Sequence, residues 1–237
     1  MGMPQKLRCQ VAAICNHGEH VYTVDLLAER PAPRFQPGQF LHLALDEYYP
    51  SCFWPESRVF SIASSPQQRD RLRISYSVKG RFTHRMEQEL CLGRHVWVKL
   101  PYGDFVISGE RDVVLFAGGT GITAFTAFLD GLTPAFPHRV TLFYGARRPE
   151  LFLYQEIIAA RAAAAPQLKV HRFVEQDAAV NSWRSGRLAA ETALPEIEVP
   201  LEADYYLSGP PAMLRELSVQ LREHRVAPEA IHVDAWE

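Results

Sequence analysis

Val113–Phe125 reads VVLFAGGTGITAF. An apolar run enters a glycine-rich turn, after which small and apolar residues continue at helical spacing. Within it, Gly119-x-Gly121-x-x-Ala124 has the spacing of a strand-to-helix turn that cradles a diphosphate. The first N–H groups of a helix lack intrahelical partners, the helix dipole favours an anion there, and glycine lets a phosphate approach the backbone. Alone, the pattern also describes a tight turn with close helix–sheet packing, so the flanking segments decide its meaning. No Gly-Lys-Ser/Thr follows, which argues against a P-loop NTPase. The stretch lies near the middle of a 237-residue chain, and its neighbours on either side differ in rhythm.

From residue 107 onward, strands alternate with helices. DVVLFA precedes a helix over GITAFTAFLDGL, and RVTLFYGA precedes LFLYQEIIAARAAAA. LKVHRFV follows, then ADYYLSG before PAMLRELSVQLREHR, and finally IHVDAW. Five apolar runs interleaved with helices predict a five-stranded parallel sheet flanked by helices. Residues 1–106 instead hold six short runs rich in β-branched and aromatic residues: CQVAAICN, HVYTVDLLAE, QFLHLAL, SRVFSIAS, RLRISYSV and HVWVKLPYG. Pro-Gly and charged clusters separate them, and one helical stretch, THRMEQELC, interrupts them. This predicts a six-stranded antiparallel barrel with one helix. The chain therefore reads as two domains, 1–106 and 107–237.

Composition narrows the function classes. The chain is 47% hydrophobic and 22% charged with a net charge of −2, so nothing global calls for nucleic acid or a membrane. Residues 1–106 carry 13 basic against 10 acidic side chains, and residues 107–237 carry 12 against 17, which suits an anionic ligand on the first half. Cys9, Cys15, Cys52 and Cys91 form no Cys-x-x-Cys pair, and the nine histidines lack ligand spacing, so no metal site is expected. The first sixteen residues lack the apolar region of a signal peptide, and no run reaches the ~18 residues of a membrane span. Free thiols in a cytoplasmic protein are the expectation.

Three further clusters carry chemistry. In SRVFSIASSP, Arg58 can pair with a phosphate, Phe60 can lie against a flat ring, and the Ser61 hydroxyl can hydrogen-bond a ring nitrogen. In SVKGRFTHRM, Gly80, Arg81 and Thr83 stand just before a helix and offer backbone N–H groups, a cation and a hydroxyl to a second anion. After the second strand of the sheet, where an NAD enzyme usually places an acid for the ribose, YGARRPE puts Arg147 and Arg148, which suit a 2′-phosphate.

RVFSIASSP, GRFT, PYGDF, AGGTGIT, YGARRPELFLYQE and SGPPAML occur in the order and spacing of the ferredoxin–NADP reductase-like superfamily, which the chain resembles from about Gln36 to its end. The resemblance implies an FAD-binding barrel followed by a nicotinamide-nucleotide domain, and hydride transfer from NADH or NADPH to flavin N5. It implies that Arg58 binds the FAD pyrophosphate, that Phe60 packs on the isoalloxazine, and that Ser61 lies near N5. Val59, Ile62, Ala63 and Ser64 complete that segment. Val78, Gly80, Arg81, Phe82 and Thr83 correspond to the second flavin phosphate turn. Gly118, Gly119, Thr120, Gly121, Ile122 and Thr123 correspond to the loop beneath the NAD(P)H pyrophosphate. Gly209, Pro210, Pro211 and Met213 border the nicotinamide.

The chain departs from that pattern in places that bear on mechanism. Ser208 stands where many relatives have a cysteine next to the hydride path, so Ser208 joins Ser61 and Trp236 as the expected catalytic positions. Trp236 lies where relatives put an aromatic against the flavin, with Asp234 or Glu237 as the nearby carboxylate. FVEQDAAV stands where NADP-specific relatives often carry arginine, against the reading of Arg147 and Arg148, so the nucleotide preference stays open. The favoured function is an FAD-dependent NAD(P)H reductase passing electrons to a separate acceptor such as a ferredoxin, flavodoxin or oxygenase component. A free-flavin reductase, suggested by FVEQDAAVNSWRSGRL, and a non-catalytic flavin- or nucleotide-binding regulatory subunit are the alternatives.

Overall fold

In the strand Gln5–Asn16 (β1), Leu7, Cys9 and Val11 are buried while the residues between them are not, the period of two expected where one face of a strand meets a core. Five more strands follow, Val21–Ala28 (β2), Phe40–Ala44 (β3), Ser57–Ser61 (β4), Arg71–Ser77 (β5) and His95–Tyr102 (β6), and Leu72, Ile74 and Tyr76 of β5 repeat that period. The computed structural model, which describes residues 3–176 and 183–234, divides into two compact units, Met1–Val106 and Ile107–Glu237. In the first, the six strands form one antiparallel sheet in the order β4-β3-β6-β1-β2-β5.

The two edges of that sheet meet just beyond β4. The Ala63 N–H donates to the Arg73 carbonyl at 2.8 Å, and the Ser64 hydroxyl accepts from the Arg73 N–H at 3.2 Å, which curls the sheet into a nearly closed barrel. Leu7, Leu26, Leu41, Leu72 and Val98 fill it. Between β5 and β6, the helix Arg81–Glu89 (α1) inserts Phe82 and Met86, four residues apart and so on one face, into the same core. Expected and observed architecture agree here; the helix begins two residues before the expected stretch Thr83–Cys91 and ends two residues before its end.

In the second unit the elements are Asp112–Gly118 (β7), Thr123–Gly131 (α2), Val140–Ala146 (β8), Gln155–Ala164 (α3), Leu168–Val174 (β9), Arg184–Ser185 (β10), Ala190–Ala193 (α4), Ala203–Ser208 (β11), Pro211–Glu223 (α5) and Ile231–Val233 (β12). The strands are all parallel, in the order β10-β9-β8-β7-β11-β12. Helix layers on both faces explain why the central strands β7 and β8 are almost continuously apolar and buried. Phe116 stacks on Phe143 at 5.1 Å between ring centroids, and Tyr205 continues the stack at 6.3 Å.

The expected count of five strands is corrected to six. The additional strand, β10, is a two-residue pairing of Arg184 with Phe173 and of Ser185 with Val174. A polar pair held by backbone hydrogen bonds carries no hydrophobic period, so its sequence gives no strand signal. The single turn of α4 escaped for the same reason of length.

A buried carboxylate stands beside the barrel seam. Asp25 on β2 pairs across the sheet with Arg73 on β5; its side chain is 9% exposed and receives Arg73 Nη2 at 2.8 Å and Arg71 Nη1 at 3.2 Å. Burial pushes the carboxyl upward, but the hydrogen bonds and charges of Arg73 and Arg71 outweigh it and hold Asp25 below the usual carboxylate range. A depressed folded-state pKa stabilises the fold above the unfolded carboxyl value and loses that contribution as pH falls through the folded value. Asp25→Asn should therefore cost about 2 kcal/mol at pH 7, less than a fully buried pair because both arginines reach solvent. In urea unfolding the gap between the two proteins should close as the pH is lowered below about 4; a gap of equal size at pH 7 and pH 3 would exclude the ion pair as its source.

Candidate nucleotide-binding sites

In the first unit, strand alternation on β4 separates Arg58 and Phe60 from Val59 and Ser61. Phe60 packs on the edge of the core and meets Tyr76 edge-to-face at 6.1 Å, leaving the ring half-buried. Tyr76 stacks on Tyr22 at 5.4 Å, and burial raises its phenol. Arg58 lies over the Phe82 ring at 5.3 Å and donates to the Ser57 carbonyl at 2.8 Å. Ile62 belongs to the barrel core, while Ala63 and Ser64 form the seam. Val59 faces His42 across the β3–β4 ladder, and Val78 packs against the core.

The turn into α1 closes on itself. The Lys79 and Gly80 N–H groups donate to Thr83 Oγ1 at 2.9 and 3.1 Å, and the Thr83 hydroxyl donates to the Gly80 carbonyl at 3.0 Å. Thr83 is thus committed to its own turn, and Phe82 to the core. What the turn can still offer an anion is the first N–H groups of α1 and the Arg81 guanidinium. Arg81, 80% exposed, donates through Nη2 to Glu56 at 2.9 and 3.1 Å, and Arg58 reaches the same carboxylate at 3.3 Å. The hydrogen bond from Arg81 holds the Glu56 carboxyl below its ordinary range, and the Arg58 charge adds to it. Glu56 was not singled out in the sequence, although its place two residues before Arg58 is a signal for a shared side of an extended chain.

In the second unit, β7 ends at Gly118, a single 3₁₀ turn spans Gly119–Ile122, and α2 begins at Thr123. The glycines do different work. Gly119 has φ +53°, and a Cβ built on it would meet nothing within 4 Å. A Cβ on Gly121 would lie 2.2 Å from the Ser208 carbonyl oxygen, and one on Gly118 would lie 2.7 Å from Met213 Sδ and 2.8 Å from Pro210. Gly121 and Gly118 are therefore demanded by packing against the end of β11, whereas Gly119 is demanded by the turn. Ile122 anchors the loop in the core, and the Thr123 hydroxyl donates to the Thr120 carbonyl at 2.6 Å. Tyr144, buried on β8, donates to the Gly119 carbonyl at 3.2 Å and accepts from the Leu153 N–H at 2.9 Å, which fixes the loop from behind. Tyr144 gave no sign of this in the sequence, being one aromatic in an apolar strand.

Around that loop stand the remaining expected positions. The Ser208 hydroxyl donates to Asp234 Oδ2 at 2.9 Å, and the Asp234 N–H donates to the Leu207 carbonyl at 2.9 Å. Of the two carboxylates considered, Asp234 is thus in contact with Ser208; Trp236 and Glu237 lie outside the described residues. Met213 packs between Gly118 and Gly209, and Pro211 opens α5 after Pro210. Arg147 and Arg148 follow β8, where the Arg147 carbonyl accepts from the Gln176 N–H at 2.9 Å and Arg148 Nε donates to Gln176 Oε1 at 3.2 Å. The arginine pair and the Glu175–Gln176 pair, which pointed to opposite nucleotides, are thus side by side.

Residues 115–218 match the family described as Oxidoreductase NAD-binding domain. The chain is 28% identical over 214 residues to the flavohemoprotein of Bacillus subtilis (strain 168), a match that covers 87% of this chain and 53% of that protein. It is 27% identical over 257 residues to the reductase component DmpP of phenol 2-monooxygenase from Pseudomonas sp. (strain CF600), covering 100% of this chain and 67% of the relative. Among solved structures, the flavohem-like FAD/NAD binding domain of nitric oxide dioxygenase from Vibrio cholerae O1 biovar El Tor aligns with a TM-score of 0.80 at 22% identity, over 96% of this chain and 97% of that one. Residues 115–218 thus carry the match to an oxidoreductase NAD-binding domain, and the chain shares the fold of an FAD/NAD binding domain. It spans about half the length of the flavohemoproteins it matches.

The glycine turn lies inside the matched NAD-binding segment, and its packing can be tested. Gly121→Ala should destabilise the second unit by about 3 kcal/mol or more, because backbone rather than a flexible side chain blocks the new methyl. Gly119→Ala should cost only about 1 kcal/mol of left-handed backbone strain and lower nucleotide affinity with the fold intact. Denaturant unfolding and nucleotide titration of both variants separate the two roles; equal destabilisation would contradict the packing described.

Proposed function

We propose that the protein is an FAD-dependent NAD(P)H reductase that passes electrons to a separate protein acceptor, a ferredoxin, a flavodoxin or an oxygenase component, in the cytoplasm. The observation that carries this reading is the presence of one diphosphate cradle in each unit, each with the donors such a ligand needs. In the first, Arg58, Arg81 and the first N–H groups of α1 suit phosphate oxygens, and the half-buried Phe60 ring suits a flat heterocycle. In the second, the open side of Gly119 leaves room for a ligand against backbone amides. Flavohemoproteins and the phenol 2-monooxygenase reductase component among the relatives support it. Among the described residues, no helix is long and apolar enough to cross a membrane.

When bound, the two nucleotides supply the redox chemistry, a hydride passing from nicotinamide C4 to flavin N5. The protein's own groups hold and orient. Arg58 and Arg81 bind the flavin's phosphates, Phe60 lies along its ring, and Ser61 offers its hydroxyl. Asp234 holds the proton of the Ser208 hydroxyl, which leaves Ser208 Oγ to accept a hydrogen bond. Pro210 and Met213 wall the same end of β11 against the glycine loop.

A free-flavin reductase is the second reading, favoured by one observation. Both arginines offered to the flavin phosphates are engaged by Glu56, which suits a flavin that comes and goes.

Anaerobic titration with NADH or NADPH should bleach the flavin band at about 450 nm, and acceptor screening with each nucleotide then separates protein acceptors from added FMN or riboflavin. Failure to bind flavin on reconstitution would sink both readings. Ser208→Ala should slow flavin reduction about three- to tenfold, the worth of one hydrogen bond, without changing flavin affinity. Replacing Arg147 and Arg148 with alanine should lower kcat/KM for NADPH alone if they meet a 2′-phosphate; equal losses with NADH would refute that contact.

A further inference from the structure

Arg58 and Arg81 do not stand open. Glu56, in the bend just before β4, accepts from Arg81 Nη2 at 2.9 and 3.1 Å and from Arg58 Nη2 at 3.3 Å, and its side chain is only 31% exposed. The neighbouring Arg85 does not share this carboxylate by hydrogen bond; it is held by Asp46 at 2.8 Å and by Glu89 at 2.8 Å. Arg58, Arg81 and Glu56 thus set two positive charges against one negative, beside the exposed Lys79 of the same turn. A diphosphate diester brings two negative charges to the same place, so Glu56 cancels half of what Arg58 and Arg81 provide.

The arginines differ in how they would respond. Arg58 is fixed independently of Glu56, over the Phe82 ring and against the Ser57 carbonyl. Arg81 projects from the first residue of α1, 80% exposed, with its guanidinium on Glu56. A phosphate arriving at Arg81 replaces the carboxylate oxygens as acceptors, with the same chemistry of donor to anionic oxygen.

We infer that Glu56 is an affinity-setting residue of the flavin site, a carboxylate that competes with the ligand's phosphates for Arg58 and Arg81 and keeps the flavin exchangeable. The inference rests on the flavin reading of the first unit for its ligand, and on the three-residue geometry alone for the competition. Glu56 touches neither ring nor reacting atom; it acts through the two arginines.

The test compares the full chain with Glu56→Gln and Glu56→Ala, using FAD, riboflavin (which has no phosphate) and inorganic pyrophosphate as probes. Removal of one like charge from a partly exposed site should tighten FAD binding by about three- to thirtyfold in both variants. Pyrophosphate should raise the melting temperature more in the variants than in the unaltered chain, while riboflavin binds all three alike. FAD and pyrophosphate bound equally well or more weakly by the variants would overturn the inference, as would riboflavin gaining as much as FAD. If FAD binds none of the three proteins while pyrophosphate still discriminates between them, the flavin reading falls and the competition stands. If FAD binds all three alike, the flavin reading stands and the competition falls. Silence of every probe sinks both.

Discussion

Between the ends of β7 and β11 there is no room for a methyl group. The Ser208 carbonyl oxygen occupies the position that a side chain at Gly121 would need, and Met213 and Pro210 occupy the position beside Gly118. This contact fixes the rest of the second unit's carboxyl edge. It sets how far β7 runs before the 3₁₀ turn, and it places Ser208, Gly209 and the start of α5 against the loop. Tyr144 then locks the loop from the other side through the Gly119 carbonyl. On the proposed reading such a cradle is preformed, because its shape is held by the Ser208 carbonyl against Gly121, by Pro210 and Met213 against Gly118, and by one buried phenol.

The first unit is organised by closure instead. Its two sheet edges meet at Ala63, Ser64 and Arg73, and the Asp25 ion pair lies beside that seam. Closure removes the open edges of the sheet and directs the chain leaving β4 back across β5. That is why Ile62 lies in the barrel core and Ala63 and Ser64 lie at the seam. Arg58 and Phe60, proposed for the flavin, stand just before the seam on the edge strand β4.

Much of this was legible in the sequence because the relevant periods are long. Six strand-like runs and five apolar runs separated by helical patterns gave both architectures; Gly118–Thr123 followed from where a run ended, and Arg58–Ser61 from the polar residues inside one. What escaped was of three kinds. The two-residue β10 and the one-turn α4 are too short for any period to register. Tyr144 and Asp25 act through contacts distant in sequence, Tyr144 with Gly119 twenty-five residues away and Asp25 with Arg73 forty-eight residues away. Glu56 looked like one more charge in a loop, and only its distances to Arg58 and Arg81 give it a role. The sequence offered both close ligand approach and close packing for the glycines; packing against Ser208 and Met213 accounts for Gly121 and Gly118.

The two anion turns share a device that separates how each must hold a phosphate. In both, a threonine hydroxyl donates to the carbonyl three residues earlier: Thr83 to Gly80 at 3.0 Å and Thr123 to Thr120 at 2.6 Å. A hydroxyl spent this way tightens the turn but gives its proton to the chain, so in neither turn is the threonine a free donor to a ligand. Backbone N–H groups remain, and these are similar at the two helix starts. The difference lies in the side chains. The Gly118–Thr123 loop contains no charged residue, so its hold on a diphosphate depends on amides and the helix dipole and responds weakly to salt. The turn at Gly80 adds Arg81 and the nearby Arg58, with Glu56 set against them. Binding there depends on a balance of full charges near the surface, which added salt screens. On the proposed reading, one unit would hold its anion by fixed backbone geometry and the other by an electrostatic balance that Glu56 adjusts.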